Sequence, residues 1–437
     1  MILWLVLLPL LIALLLWPLG RFRPLAAPLT VAALWGMALL SALVPQEEGF
    51  ILLGRSLALT PEEGLSLAVC YGLLGFVVLA TFRLAESVPS YSLLLAAAAS
   101  LAVATSLRSF TLAVLTLTIG GILLVFLLPW RELRSTLVGT RVLFLLILSM
   151  VSLLLAAWVM ENPPSGVEES ELARRAGLGL ALGFGLALGL APLGMWLLAV
   201  FRRGGVLAGV AFQTLWCTAV LLKFSAVLQA FPWPEGKPWL LHILLGSALF
   251  SLLLGGVGAL LQRSLWGVLA YAALADLGMV LLALEGASSQ MAMWHLLWRN
   301  GAVALVAIVV GILDHCLGGD TYERVAGAGR HAPLALLGLL VGGLSLSGLP
   351  PAVGFVSRLF LLQDFAKAHP GWAIVVLLSG LGVGWAFLRY FVVALLPALT
   401  APRRREPLFA GLLALSLSVL LLGFGVAFPH LLVRLLG

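Results

Sequence analysis

The sequence predicts an all-α polytopic membrane protein of about fourteen transmembrane helices, and three observations carry the prediction. Of 437 residues, 62% are hydrophobic and 10% charged, with a mean hydropathy of +1.15; a soluble domain holds roughly 25% charged residues and under half apolar ones. Apolar runs close to the roughly 20 residues needed to cross a bilayer follow one another along the whole chain. The connections between them also alternate in charge. This composition excludes a soluble catalytic or nucleotide-binding domain of ordinary size.

Runs bounded by charge, proline or glycine place the helices at 1–18, 25–44, 65–82, 88–106, 109–129, 139–160, 173–201, 206–230, 240–262, 265–285, 290–313, 332–356, 370–396 and 408–432. The first run, MILWLVLLPLLIALLLW, lacks the basic segment and small-residue cleavage site of a signal peptide and reads as a span. Odd-numbered connections hold Arg21, Arg23, Arg83, Arg131, Arg134, Arg202, Arg203, Arg263, Arg324, Arg330 and Arg403 to Arg405. Even-numbered ones hold mainly Arg55, Arg174, Arg175, Lys237 and Lys367, beside Glu47, Glu48, Glu62, Glu63, Glu161, Glu168, Glu169 and Glu171. The positive-inside rule then makes the odd connections cytoplasmic and puts both termini on the other side of the cell inner (plasma) membrane. The net charge of +7 is accounted for by these loops, so no nucleic-acid partner is expected. The longest connections, 45–64 and 314–331, have room for a hairpin or short helix at most. Residues 1–437 therefore read as a single membrane domain, and redox or nucleotide chemistry is left to partner chains. Cys70, Cys217 and Cys316 are far apart without metal-ligand spacing, so neither a metal nor a cofactor is expected in this chain.

Two spans carry helix-breaking sequence near their middle. The seventh reads GFGLALGLAPLGMW with Pro192, and the twelfth runs into SLSGLPPAVGF with Pro350 and Pro351. Proline removes a backbone donor and clashes with the preceding turn, which lipid tolerates only where protein or water satisfies the freed groups. The breaks are five helices apart, the sign of an inverted-repeat transporter with helices 4–8 and 9–13 as repeats; the alternative is that Pro and Gly are common in membrane helices anyway.

Charged residues well inside spans are few: Lys223, Asp276, Arg299 and Arg389. Each costs roughly 2.5–3.5 kcal/mol or more at bilayer depth and usually marks an ion or proton path. Lysine loses its proton readily when desolvated, whereas arginine stays charged, so Lys223 is the leading candidate; a static pair with Asp276, or snorkelling to an interface, is the competing reading. Arg299 and Arg389 read as anchors or static partners. His295, inside a span, is a proton-relay candidate because imidazole titrates near neutrality, or else a packing residue.

These motifs together resemble the antiporter-like membrane subunits shared by respiratory complex I, energy-converting hydrogenases and Mrp-type cation/proton antiporters. GFGLALGLAPLGMW is similar to the family's GFxxKxxxxPxHxW, AVLLKFSAVLQAF to its helix-8 xxLLKxxxYxLxR, LLQRSLWGVLAYAALADLGMV to xxQxDxKRLLAYSSIxHxGxx, and SLSGLPPAVGFVSRLFLL to SLxGLPPxxGFxxKxxLx. The resemblance covers nearly the whole chain and is closest to the smallest, innermost such subunit of complex I. It implies inverted repeats at 88–230 and 240–396, discontinuous helices 7 and 12, a central hydrophilic axis of lysines, glutamates and histidines, and membrane-arm partner subunits; together with the intramembrane charges above, the expected proton pathway is Lys223, Asp276, His295 and Arg389. The helix-8 lysine of the family maps onto Lys223.

The chain also departs from the pattern. The helix-7 lysine falls on Ala187, the nearby histidine on Gly194, and the helix-5 glutamate in LAVLTLTIGG, where only Thr116 and Thr118 are polar. The basic pair of KRLLAYSS is replaced by Trp266 and Gly267, its serines by Ala272 and Ala273, and the following histidine by Asp276. The helix-12 lysine or glutamate is not placed, Arg389 being the nearest basic residue in the following span. Two functions therefore stand side by side: a proton-translocating subunit of a complex I-type NADH:quinone oxidoreductase, or a non-conducting paralogue that fills a structural place in the membrane arm. Membership of an Mrp antiporter, a hydrogenase or a bicarbonate-uptake assembly is a third.

Overall fold

The apolar runs fold as helices because, in hydrocarbon, a backbone N–H or C=O finds its partner only inside its own segment. A computed structural model describes residues 2–19, 23–43, 50–52, 55–82, 91–128, 133–161, 169–230, 239–285, 289–397 and 404–436. In chain order these form α1 (Ile2–Leu19), α2 (Arg23–Leu43), α3 (Pro61–Thr81), α4 (Tyr91–Ser106), α5 (Phe110–Val125), α6 (Leu133–Glu161), α7 (Glu169–Ala187), α8 (Trp196–Val210), a π-helical segment (Ala211–Trp216) and α9 (Cys217–Ala230). There follow α10 (Trp239–Leu261), α11 (Leu265–Glu285), α12 (Ser289–Leu317), the single turn α13 (Tyr322–Val325), α14 (Pro333–Ser347), α15 (Val353–Ala368), α16 (Pro370–Leu395) and α17 (Leu408–Leu436). Between α2 and α3, strands β1 (Phe50–Leu52) and β2 (Arg55–Leu57) pair antiparallel with Phe50 opposite Leu57. Of the loop charges used for orientation, Arg21, Glu47, Glu48, Arg83, Arg131, Glu168, Lys237 and Arg403 lie outside the described residues.

Among the described residues nine helices are long and apolar enough to cross a membrane, or ten if the bent pair 322–330 and 333–347 is one span. The chain is an all-helical polytopic membrane protein. α4 and α5, at 16 residues each, are apolar but shorter than that test requires. Both proline-bearing runs are interrupted as expected, α7 ending at Ala187 with α8 starting at Trp196, and α14 ending at Ser347 with α15 starting at Val353. One boundary differs. The charges Arg358, Asp364 and Lys367 suggest a connection over 357–369, yet this stretch belongs to α15. Its buried residues Val353, Gly354, Ser357, Arg358, Leu361 and Phe365 recur at helical spacing.

The chain divides into two compact units, the first comprising Met1–Gly75, Val88–Gly204 and Ala211–Ala248, the second Phe76–Ser87, Gly205–Val210 and Leu249–Gly437. In the first, small residues let helices approach closely. A Cβ at Gly121 of α5 would stand 2.7 Å from the Trp216 ring, and one at Gly179 of α7 would stand 2.9 Å from the Ser152 carbonyl of α6. Buried hydroxyls bond across helices, Tyr71 to the Ala98 carbonyl at 3.2 Å and Ser149 to that of Gly183 at 2.7 Å. In the second unit Gly338 of α14 lies against Val309 of α12, and Gly256 of α10 against Ser379 of α16.

Three helix starts are capped by carboxylates, which both fill orphan N–H groups and complement the positive end of the dipole. Thr60 and Glu63 form a reciprocal capping box at α3, with Glu63 Oε2 accepting from the Thr60 N–H at 2.8 Å and Thr60 Oγ1 from the Glu63 N–H at 3.2 Å. Asp320 accepts from the Trp266 N–H at α11 at 2.9 Å. Glu406 accepts from the Leu334 and Ala335 N–H groups at α14, at 3.0 and 3.1 Å. Partial burial raises the Glu406 carboxyl above the usual carboxylate range, while those two N–H bonds pull it down.

The Gly256 contact yields a prediction. A Cβ there would stand 2.7 Å from the Ser379 Cα, a backbone atom that cannot yield cheaply. Gly256→Ala is expected to destabilise the protein by about 1–3 kcal/mol, read as a lowered thermal unfolding midpoint of the detergent-solubilised protein.

Candidate functional site

In the first unit the break after α7 frees carbonyls that lipid cannot satisfy. Two buried indoles take them: Trp196 Nε1 donates to the Leu186 carbonyl and Trp216 Nε1 to that of Ala187, each at 2.8 Å. Trp216 closes the π-helical segment, and seven residues further, on α9, comes Lys223. Its neighbour Phe224 meets Phe184 of α7 edge-on with ring centroids 5.0 Å apart. The Lys223 side chain is 4% exposed, and its Nζ donates to the Thr105 carbonyl at 2.6 Å and to the Leu107 carbonyl at 3.1 Å. Both carbonyls belong to the C-terminal end of α4, the negative end of that helix's dipole. Glu63 and Arg108 are the charged groups acting on this ammonium.

The second unit also holds a cation against helix-end carbonyls, with different chemistry. α14 ends at Gly348, whose φ of +70° suits a residue without a Cβ. Arg358, on the first turns of α15, reaches back to this end: Nη1 donates to the Ser347 carbonyl at 2.8 Å and Nη2 to that of Leu346 at 3.0 Å. Nη2 also pairs with Asp276 Oδ1 of α11 in a buried ion pair. His295 of α12 places Nε2 3.9 Å from the same carboxylate oxygen and Nδ1 2.9 Å from Ser357 Oγ. Arg299, one turn along α12, donates to the Ala273 carbonyl at 3.0 Å and to Asn300 Oδ1 at 3.2 Å.

Of the residues singled out in sequence, Asp276 and His295 thus come together, and Asp276 takes Arg358 as its ion partner. Lys223 bonds to backbone carbonyls within its own unit. Pro192 lies in the interruption between α7 and α8, and Pro350 and Pro351 in that between α14 and α15. Arg389 has other company: its Nη2 donates to the Leu260 and Gln262 carbonyls at the end of α10, at 3.0 and 3.1 Å, and the guanidinium lies 4.6 Å from the Tyr322 ring centroid. Arg358 is the residue that sequence reasoning missed. The signal was present, since SLxGLPPxxGFxxK aligned on SLSGLPPAVGFVSR puts the pattern's lysine on Arg358. Where the family's helix-5 glutamate is sought, the Thr116 and Thr118 hydroxyls bond carbonyls of their own helix, Leu112 and Ala113 for the first and Val114 for the second.

Chemically, one unit holds a buried primary amine, which can release a proton, and the other a carboxylate and an imidazole beside two guanidiniums, which cannot. Among the described residues no three His, Cys, Asp or Glu side chains gather as a metal site.

Removing one partner of a buried ion pair leaves the other uncompensated, at roughly 3–5 kcal/mol. Asp276→Leu is therefore expected to lower stability by about that amount, and adding Arg358→Met to restore part of it. A double-mutant cycle on unfolding midpoints measures the coupling.

A family model described as "NADH:quinone oxidoreductase/Mrp antiporter, TM" matches residues 160–382. NADH-quinone oxidoreductase subunit N of Geobacillus kaustophilus is 30% identical over 268 residues, covering 56% of this chain and 52% of that protein. Formate hydrogenlyase subunit 3 of Escherichia coli is 26% identical over 283 residues, covering 57% and 46%. The chain spans about half the length of the curated relatives it matches. Among solved structures, a chain of respiratory complex I from Thermus thermophilus superposes with a TM-score of 0.80 at 22% identity, over 99% of both chains. A chain of the Mrp complex from Dietzia does so at 0.82 and 15% identity, over 98% of this chain and 94% of that one. With half of its length matched by the family model and this fold throughout, the chain belongs to the NADH:quinone oxidoreductase/Mrp antiporter transmembrane family.

Proposed function

We propose that this chain is a proton-translocating, antiporter-like membrane subunit of a complex I-type NADH:quinone oxidoreductase, coupling redox chemistry in partner subunits to proton movement. The observation that carries this reading is the burial of Lys223 on the α4 carbonyls. A lysine is costly to keep in a membrane interior, and here it is held where its proton can be exchanged. Asp276 and His295 supply two further titratable groups in the second unit, with Arg358 as a fixed countercharge and Arg389 an anchor at the end of α10. The partners are membrane-arm subunits of the parent complex and the surrounding bilayer.

The same reading gives the chain fourteen spans: the nine long apolar helices joined by α1, α4, α5, α7 and the α14/α15 pair. The kink at Gly205, whose φ is +72°, separates spans seven and eight. Residues 88–230 and 240–396 are then the inverted repeats, and loop charge puts both termini on the non-cytoplasmic side.

A non-conducting structural role is favoured by one specific observation: Ala187, Thr116 and Thr118 stand where the family carries its lysine–glutamate pair, and Arg358 where it carries a lysine. Lys223→Arg separates the two readings. Arginine keeps the charge and the carbonyl bonds but does not give up its proton. In membrane vesicles bearing the assembled complex, the proton-to-electron ratio is expected to fall with assembly intact; an unchanged ratio overturns the conducting role. The Mrp, hydrogenase and bicarbonate-uptake alternatives differ in their partner subunits, which purification of the native assembly identifies.

A further inference from the structure

Lys223 sits against the end of α4, and one buried acid lies on the same side. The α4 corner that holds the ammonium is also where the segment before α3 is pinned: the Ala58 N–H donates to the Ser106 carbonyl at 2.9 Å, and Leu57 forms an antiparallel bridge with Leu107. Leu57 and Leu107 are buried in one small core with Ile2 and Ala113, so the two segments are held as a unit. Three residues past Thr60 comes Glu63, 5% exposed although Thr60 and Glu62 beside it are exposed. Its carboxylate therefore lies just beneath the surface, next to the corner whose carbonyls bind Lys223. Glu63 is the one anion among the charged groups acting on that ammonium, Arg108 being the other charge. Lys223 itself lies seven residues before Ala230, the last residue of α9, or about 10 Å below that end at helical rise.

We infer that Glu63 is the surface-side proton-exchange partner of Lys223. The inference rests on the proton-translocating reading and names the residue through which that site meets one face, the one that loop charge makes non-cytoplasmic. The step moves a single proton and no electrons. Lys223 and Glu63 form no ion pair, so a bridging water carries the step: the Lys223 ammonium gives a proton through it to the Glu63 carboxylate, leaving a neutral amine on the α4 carbonyls and a neutral carboxylic acid at α3. The acid then releases the proton to solvent beside Thr60 and Glu62. The reverse sequence reloads the amine. Burial keeps Glu63 away from competing bulk ions, and the capping box holds the carboxylate in place between transfers.

The capping role and the proton role separate cleanly, because glutamine serves in a capping box as well as glutamate does but carries no exchangeable acid. In the assembled complex in vesicles, Glu63→Gln is expected to keep assembly and thermal midpoint while lowering the proton-to-electron ratio as far as Lys223→Arg does. The double variant is expected to fall no further. Thr60→Ala, which weakens the cap and leaves the acid, is expected to keep the ratio. Normal pumping by Glu63→Gln beside impaired Lys223→Arg overturns the inference and leaves the proposed function standing, as does an equal loss in Thr60→Ala. Normal pumping by Lys223→Arg overturns both.

Discussion

Two unfavourable features inside a membrane, a cation and a helix end with unmatched carbonyls, satisfy each other at three places in this fold. A charge at bilayer depth costs roughly 2.5–3.5 kcal/mol or more, and an α-helix leaves its last four carbonyls without partners. A charge-assisted hydrogen bond contributes about 1.5–3 kcal/mol, so two such bonds roughly offset the cost of the ion while removing that of the carbonyls. Lys223 does this at α4, Arg358 at α14 and Arg389 at α10. The complementary pairing, a carboxylate on a helix start, recurs with Glu63, Asp320 and Glu406. These charges are therefore structural and electrostatic at once, and helix ends provide the carbonyls on which they settle, that end belonging to an interrupted span in the case of Arg358.

Within this shared scheme the two units differ in what their cation can do. Lys223 is bound only through its ammonium, so loss of a proton leaves an amine that still donates to a carbonyl. Arg358 is fixed by two carbonyls and Asp276 and has no neutral form at any ordinary pH. Any protonation change around Arg358 therefore falls to Asp276 and His295, whose separation of 3.9 Å exceeds hydrogen-bond length. On the proposed function, this asymmetry assigns proton exchange mainly to the first unit.

Much of this was legible in the sequence, for reasons that differ residue by residue. Long apolar runs announced the helices, and Pro192, Pro350 and Pro351 announced the two interruptions. Lys223, Asp276 and His295 stood out because ionisable groups are rare in spans. Arg358 did not, since Asp364 and Lys367 nearby gave its segment the charge density of a connection and hid the helical spacing of the buried positions of α15. The partners of the cations were invisible for a deeper reason. Lys223, Arg358 and Arg389 all bind backbone oxygens, and carbonyls carry no signature in sequence; only the fold decides which helix end lies within reach. Among the described residues nine helices are long and apolar enough to cross; α4 and α5 are too short for that test, and α7 too charged at its start.

The π-helical segment Ala211–Trp216 fixes the aim of Lys223. A π turn accommodates one residue more than an α turn, so it acts as a phase shift in the helix that follows it. Each residue of an α-helix turns the chain by about 100°. Were Ala211–Trp216 to close as ordinary α-helix at its present length, the ammonium would swing by about that angle, away from Thr105 and Leu107; one residue fewer would restore its aim. The bearing of Lys223 is thus written as a local surplus of backbone, seven residues or more before the lysine itself.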